Sequence, residues 1–127
     1  MGLDFDNHRP IYLQIMAYIN SQITRGVWKP GEKMPSVREF AIEIGVNPNT
    51  VSRTYMELER QEIVESKRGQ GTFVTEDMNV IQALKRTQAT SQVDAFIGNM
   101  RNLGLTEHEI LSLIQEALKE KEDDDHE

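Results

Sequence analysis

Four polar side chains near the middle of the chain have the chemistry to read the edges of base pairs. Asn49, Thr50, Ser52 and Arg53 follow one another closely. An arginine can donate two hydrogen bonds to O6 and N7 of guanine, and an asparagine can bracket N6 and N7 of adenine. Hydroxyl groups can reach phosphates or bases. These residue types predict a contact with nucleic acid if one element presents them all to the same partner.

A helix that starts at Asn47-Pro48 would present them. Asn is a preferred N-cap residue, and Pro at the first helical position loses no hydrogen bond because that N–H would be unpaired anyway. Projected at about 100° per residue, one face of this helix is apolar and consists of Val51, Tyr55 and Leu58. The opposite face is polar and carries Asn49, Arg53 and Arg60. We expect the helix, from about Pro48 to Gln61, to bury the first face and to enter the major groove with the second.

A shorter helix is expected directly before it. Ser36 and Glu39 have the spacing of a capping box, in which each side chain bonds the backbone N–H of the other residue. The apolar stripe that follows is formed by Val37, Phe40, Ala41 and Ile44. Gly45 ends this helix, because glycine adopts positive φ just past a helix end without a steric penalty. Only Val46 separates Gly45 from the next start signal, which is the spacing of a helix-turn-helix.

A hairpin is expected after the second of these helices. The residues from Ile63 to Lys67 and from Thr72 to Thr75 have the pattern of two short strands around Arg68-Gly69-Gln70-Gly71. Lys67 and Arg68 lie at its tip, where they can meet phosphate. Gly69-Gln70-Gly71 is too short for a dinucleotide-binding fingerprint and precedes a strand, so it predicts a turn.

The N-terminal part supplies one more helix. Pro10 is expected to be its first residue, and apolar residues recur every four positions up to Gly26, at Ile11, Ile15, Ile19 and Ile23. In the connector that follows, Pro30-Gly31 indicates a turn, and Trp28 and Met34 should fill the gap between helices. Three helices followed by a hairpin predict a winged helix-turn-helix DNA-binding domain over residues 1–75, in a chain that is mainly α (α+β).

Residues 76–127 are expected to form a two-helix dimerisation arm with an acidic tail. A helix from Met78 to about Asn102 has a polar middle at Thr87 to Gln92, which leaves open whether it is continuous. Thr106 and Glu109 form a second capping box. Two apolar stripes of this length bury too little surface to offset the ordering entropy, so they need a partner. The simplest partner is the same pair of helices from a second copy of the chain. The expected dimer contacts are Val93, Phe96, Ile97, Met100, Ile110, Leu111, Ile114 and Leu118.

The formal net charge of −7 is unfavourable for a nucleic-acid partner, but the acidic residues are unevenly distributed. Residues 1–75 contain nine basic and nine acidic side chains, whereas residues 76–127 contain five and twelve. Because the chain has no Cys and no apolar run long enough to cross a membrane, we expect a cytoplasmic protein. His8, His108 and His126 are scattered, and no nucleophile has a catalytic setting. The sequence therefore predicts no metal, no cofactor and no enzymatic activity.

The chain resembles GntR-type transcription regulators and, within them, the short YtrA-like branch. The matching motifs are Pro10-Ile11-Tyr12, Lys29-Pro30-Gly31, Met34-Pro35-Ser36-Val37-Arg38-Glu39, Asn47-Pro48-Asn49-Thr50-Val51 and Arg68-Gly69-Gln70-Gly71-Thr72-Phe73-Val74. The resemblance implies a homodimeric regulator of transcription, usually a repressor, that binds an inverted repeat in double-stranded DNA near its own operon. For the YtrA-like branch it also implies a link to transporter operons.

The resemblance further implies which residues touch DNA: those at the start of the first motif helix, in the first turns of the recognition helix and at the wing tip. In this chain they are Ser36, Arg38, Asn47, Asn49, Thr50, Ser52, Arg53, Lys67, Arg68, Gly69 and Gln70. Many longer members of the family carry arginines where this chain has Pro48 and Ser52. We therefore expect Arg53 to take over part of their role.

Two other interpretations stay open. A small effector molecule could bind between the last two helices, in a pocket lined by Phe96, Ile97, Met100, Leu111 and Ile114. Alternatively, the winged helix could be a protein-assembly module that does not bind DNA. That role would need an apolar outer face on the second motif helix, where Met56 is the one apolar residue.

Overall fold

The structure, a computed structural model, describes residues 3–125 and shows five helices and one hairpin in this part of the chain. In order, the elements are α1 (Ile11–Thr24), α2 (Val37–Ile44), α3 (Pro48–Arg60), β1 (Val64–Lys67), β2 (Gly71–Val74), α4 (Met78–Asn102) and α5 (Glu107–Asp125). The chain divides into two compact units, one up to Arg86 and one from Thr87 onward. The first unit contains the predicted winged helix-turn-helix.

Helix α1 begins one residue later than expected, because Pro10 is its N-cap. The buried residues on its inner face include Ile15, Ile19 and Ile23. Gln14 is buried as well, and its side chain accepts a hydrogen bond from the Asp6 N–H at 2.7 Å and donates one to the Arg9 carbonyl oxygen at 3.0 Å. The segment before α1 is therefore hydrogen-bonded to the first turn of the helix.

The predicted start signals of α2 and α3 both form. Ser36 Oγ accepts from the Glu39 N–H at 3.1 Å, and Glu39 Oε1 accepts from the Ser36 N–H at 3.0 Å. Gly45 closes α2 in the left-handed region, with a φ of 70°. Asn47 then caps α3, and Pro48 is its first residue. The helix-turn-helix is thus built by local hydrogen bonds at each of its junctions.

The end of α3 carried no recognisable signal in the sequence. The chain leaves the helix through Glu62, whose φ of 64° is uncommon for residues other than glycine. The Glu62 N–H bonds the Glu59 carbonyl oxygen at 2.9 Å, and the Ile63 N–H bonds that of Leu58 at 3.0 Å. This is the hydrogen-bond pattern that usually places a glycine at the left-handed position. Ile63 is only 3% exposed, and its burial favours this turn although Glu62 is not a glycine.

The wing is wider than the sequence suggested. Strands β1 and β2 are antiparallel, with Val64 opposite Val74 and Lys67 opposite Gly71. The connector between α1 and α2 pairs with β2 as a third backbone segment. Lys33 forms a bridge with Phe73, and the Met34 N–H donates to the Thr72 carbonyl oxygen at 2.8 Å. The connector, for which the sequence predicted a turn and packing by Trp28 and Met34 but no pairing with the wing, therefore joins the wing to the helices.

Phe40 lies at the centre of the core and is fully buried. Three aromatic rings lie around it, with centroid distances of 6.4, 6.0 and 6.2 Å for Tyr18, Trp28 and Tyr55. The start of α4 also joins this core through the buried Ile81, with Val80 and Leu84 packed beside it. The first unit consequently extends beyond the boundary that we expected after Thr75. The functional division at that boundary stays a prediction.

The second unit contains most of α4 and all of α5. Helix α4 is a single helix that continues through the polar stretch from Thr87 to Gln92, so it has no break there. The predicted capping box opens α5, with the Glu109 N–H donating to Thr106 Oγ1 at 3.2 Å and the Thr106 N–H donating to Glu109 Oε1 at 3.0 Å. None of the helices that the structure describes is both long and apolar enough to cross a membrane.

Candidate nucleic-acid interface

Helix α3 has two chemically distinct sides. Val51 and Leu58 are completely buried and Tyr55 is 6% exposed, whereas Asn49 and Arg53 are exposed. The buried side is held by packing and by one specific bond, in which the Tyr55 hydroxyl donates to the Pro35 carbonyl oxygen at 2.8 Å. Burial raises the pKa of Tyr55, so this hydroxyl keeps its proton for the bond. The polar side is thereby presented to solvent on a fixed helix.

The first turn of α3 combines a structural role with the predicted contact role. Asn47 Oδ1 accepts from the Asn49 N–H at 2.8 Å, so the Asn47 side chain caps the helix. Both residues are exposed, and Thr50 and Ser52 are half-buried. The cap alone is a sufficient reason for an asparagine at position 47. Its contact with DNA stays a prediction, as do those of its three neighbours.

The guanidinium of Arg53 lies on an aromatic ring of another helix. Its Cζ is 3.8 Å from the centroid of the Tyr12 ring in α1. The two side chains border a shallow depression of about 390 Å³ between the helices, which is lined by Pro10, Ile11, Tyr12, Asn49, Thr50 and Arg53. Tyr12 belongs to the Pro10-Ile11-Tyr12 motif but was not among the predicted contact residues, because nothing local links position 12 to position 53.

Glu57 lies one turn after Arg53 on α3 but is bound by other residues. Its carboxylate accepts hydrogen bonds from Arg60 and from the Gln61 side chain, the latter at 3.2 Å. These bonds, with a smaller contribution from the charge of Arg53, lower the pKa of Glu57 to about 2. Arg60, which the sequence predicted on the polar side, therefore donates its hydrogen bonds to a residue of its own helix.

The start of α2 presents the next two predicted residues. Ser36 and Arg38 are both exposed. The hydrogen bonds from Ser36 lower the pKa of Glu39, which keeps that carboxylate ionised at the positive end of the helix dipole. Ser36 is therefore needed for the helix start itself. Arg38 occupies a position that the helix dipole disfavours, which is consistent with a role toward an external anion.

The wing tip is fully accessible. Lys67, Arg68, Gly69 and Gln70 are all exposed. The Gln70 N–H donates to the Lys67 carbonyl oxygen at 2.8 Å, and Gly69 has a φ of 78°, a conformation that this tight turn requires of its third residue. Lys67 Nζ lies 4.8 Å from the centroid of the Phe73 ring, so its ammonium group contacts an aromatic side chain of the wing itself. The exposed side chains of the tip are accessible to an external partner.

The predicted dimer contacts of the second unit differ in exposure. Ile110 is buried within its own chain, and Ile97, Met100 and Ile114 are half-buried. The remaining four expose 39–65% of their surface: Val93, Phe96, Leu111 and Leu118. His126 lies outside the described residues, and within them no group of His, Asp or Glu could hold a metal ion.

Three helices, a tight turn and a wing, with an exposed polar side on the second motif helix, define the class of winged helix-turn-helix DNA-binding proteins. The sequence profile described as "Bacterial regulatory proteins, gntR family" matches residues 11–74. The chain belongs to this family of transcriptional regulators.

Relatives and solved structures agree with this membership. The chain is 45% identical over 115 residues to the uncharacterized HTH-type transcriptional regulator YhcF of Bacillus subtilis, covering 91% of this chain and 95% of that protein. It is 48% identical over 75 residues to the HTH-type transcriptional repressor YtrA of the same organism, covering 59% of this chain and 58% of that protein. These relatives are transcriptional regulators, and no family of enzymes is indicated.

Among solved structures, a GntR family transcriptional regulator from Listeria monocytogenes superposes with a TM-score of 0.83 at 39% identity, covering 88% of this chain and 98% of that one. The AraR DNA-binding domain in complex with operator ORX1 superposes with a TM-score of 0.55 at 29% identity, covering 59% of this chain and 95% of that one. The fold of the first unit is therefore one that binds operator DNA in a related protein.

Proposed function

We propose that the protein is a transcriptional repressor that binds an inverted-repeat operator as a homodimer, with α3 of each copy in the major groove. The observation that carries the proposal is the division of α3 into a buried apolar side and an exposed side with Asn49 and Arg53. The name of YtrA as a repressor and the operator complex of AraR support it. A protein-assembly role is not favoured, because Met56 remains the one apolar residue on the outer side of α3.

Three groups of residues form the proposed DNA contact. Asn49, Thr50, Ser52 and Arg53 face the base edges, together with Asn47 at the start of α3. Ser36 and Arg38 at the start of α2 meet the phosphate backbone, where the positive end of the helix dipole also attracts an anion. Lys67, Arg68, Gly69 and Gln70 at the wing tip rest on phosphate or in the minor groove. The exposure of the charged side chains in all three groups supports this assignment.

Dimerisation is proposed to occur through the second unit. Val93, Phe96, Leu111 and Leu118 leave a large part of their apolar surface in contact with solvent in a single chain, and a second copy would cover it in a self-complementary interface. Two recognition helices set roughly 34 Å apart would then address half-sites separated by one turn of duplex. We further propose that the regulated genes include a transporter, which the neighbouring genes would reveal.

The recognition role is tested with DNA selected by the protein itself. Duplexes bound by the full chain are recovered from a random pool, and the affinity of the best one is compared with that of a scrambled duplex. Arg53→Ala should lose about 1–3 kcal/mol on the selected duplex and clearly less on the scrambled one. Arg101→Ala, which removes an exposed arginine of the second unit, is the matched control and should leave both affinities unchanged.

Two results would contradict the proposal. If the random pool yields no preferred duplex, the protein does not read sequence. If Arg53→Ala weakens both duplexes equally, Arg53 contacts only phosphate and base reading must be assigned to other residues.

A further inference from the structure

The contact between Tyr12 and Arg53 joins the first turn of α1 to the exposed side of α3. The guanidinium carbon lies over the ring, 3.8 Å from its centroid, which is within the range of a cation–π contact. A cation over an aromatic face is attracted by the ring quadrupole, and the attraction persists at exposed sites. Arg53 is therefore held in one region of space although its side chain is exposed.

The manner of this contact matters for recognition. A guanidinium over an aromatic ring can use its flat face for the contact, which leaves the N–H groups around its edge free to donate. A carboxylate partner would instead occupy those same N–H groups. Within the described residues no carboxylate forms an ion pair with Arg53. Glu57, the acidic side chain one turn away, is bound by Arg60 and Gln61 instead.

We propose that Tyr12 is a positioning residue for DNA recognition, which orients the Arg53 guanidinium for a two-bond contact with O6 and N7 of a guanine. This inference rests on the proposed function, because it needs Arg53 to face a base pair. Fixing a long side chain before binding reduces the conformational entropy lost in the complex. The start of α1, with Pro10 and Ile11 beside the ring, thereby becomes part of the DNA-reading surface.

The experiment uses the full chain, the selected duplex and its scrambled counterpart. Four variants are compared with the wild type: Tyr12→Leu, Tyr12→Phe, Arg53→Ala, and Tyr12→Leu combined with Arg53→Ala. Tyr12→Leu should weaken binding to the selected duplex roughly two- to fivefold, the range expected for an exposed cation–π contact, and should spare the scrambled duplex. Tyr12→Phe keeps the ring and should bind like the wild type.

The double variant separates positioning from packing. If the ring acts through Arg53, Tyr12→Leu should cause no further loss once Arg53 is an alanine. A second selection from the random pool should also show that Tyr12→Leu relaxes the preference for guanine at the same position as Arg53→Ala. Thermal unfolding of each variant reports whether α1 still packs normally.

Distinct results would overturn the inference. An equal loss from Tyr12→Leu with and without Arg53 would show that the ring only supports the fold. A loss in Tyr12→Phe would assign the effect to the hydroxyl group. If Arg53→Ala weakens binding to the selected duplex but Tyr12→Leu does not, this inference fails while the proposed function stands; if Arg53→Ala has no effect, both the base-reading role of Arg53 and this inference fail.

Discussion

At the scale of single residues, hydrogen bonds determine which charged side chains of α3 pair with each other. Glu57 could pair with Arg53 or with Arg60, and it pairs with Arg60 and Gln61. A glutamate with a depressed pKa stays ionised under ordinary conditions, so the arrangement persists. The consequence is that Glu57 is paired within the second half of the helix, while the guanidinium of Arg53 in the first half forms no ion pair among the described residues.

The same pairing makes stability depend on pH. Because the pKa of Glu57 in the folded chain is about 2, below its ordinary value of 4.5, its contribution to the free energy of unfolding is complete above the ordinary value. The contribution is lost as the pH falls toward about 2. Glu39 and Glu109, whose pKa values are also lowered, act in the same direction.

Urea unfolding at a series of pH values tests this. The unfolding midpoint should fall on acidification in the wild type, and the fall should be shallower in Glu57→Gln, which cannot titrate. Arg60→Gln, which removes the guanidinium that donates hydrogen bonds to Glu57, should give a similarly shallow curve. Parallel curves for all three proteins would show that the Glu57 bonds are equally strong in both protonation states.

At the scale of secondary-structure elements, the connector between α1 and α2 links the helices to the wing. Its backbone pairs with β2 at three points: Gly31 N–H to Val74, Val74 N–H to Glu32 and Met34 N–H to Thr72, at 2.9, 2.9 and 2.8 Å. Met34 is 3% exposed, so its side chain is part of the core. A two-stranded hairpin alone is marginally stable in water, and the connector supplies the missing support.

Two methionines of opposite burial test this role. Met34→Ala should lower the free energy of unfolding by about 2–5 kcal/mol, because it leaves a cavity where connector and core meet. Met56 is 68% exposed on α3, so Met56→Ala should change the free energy of unfolding by less than about 0.5 kcal/mol. Urea denaturation at one fixed protein concentration gives both values. Equal effects would mean that Met34 contributes little to the core.

At the scale of the whole molecule, charge is divided unevenly between the two parts of the sequence. The acidic excess lies entirely in residues 76–127, whereas residues 1–75 are neutral overall. The part proposed to meet DNA is therefore free of the net repulsion that the total charge of −7 suggests. The exposed apolar residues Val93, Phe96, Leu111 and Leu118 belong to the acidic part.

A charge placed among these apolar residues should separate the copies. Phe96→Glu should convert a dimer to a monomer in sedimentation velocity, because an ionised carboxylate would be buried without a partner. Ile42→Glu is the control: Ile42 is 83% exposed on α2, and its substitution should leave the dimer intact. If Phe96→Glu still sediments as the wild type, the dimer uses another surface or does not form.

The same variant makes a prediction for DNA binding. The logarithm of the binding constant falls linearly with the logarithm of salt concentration, with a slope set by the number of phosphates contacted. Two DNA-binding domains contact twice as many phosphates as one, so the slope for Phe96→Glu on the selected duplex should be about half that of the wild type. An unchanged slope would show that one copy makes all the contacts.

Local chemistry in the sequence determined where most elements begin and which way α3 faces. The two capping boxes, Gly45 and Asn47-Pro48 act over about one helical turn, so their outcome does not depend on the rest of the fold. The exposure of Asn49 and Arg53 was predictable because the apolar and polar residues of α3 recur with the period of a helix. The site assignments themselves remain predictions.

The tertiary structure alone decided the features that join residues distant in the sequence. Tyr12 meets Arg53 and Lys33 pairs with Phe73 only because the core brings their elements together. Glu62 adopts a left-handed conformation without being a glycine, and Ile81 extends the first unit into α4. Each of these depends on which side chains are removed from water when the elements pack, and that energy belongs to the assembled core rather than to any stretch of sequence.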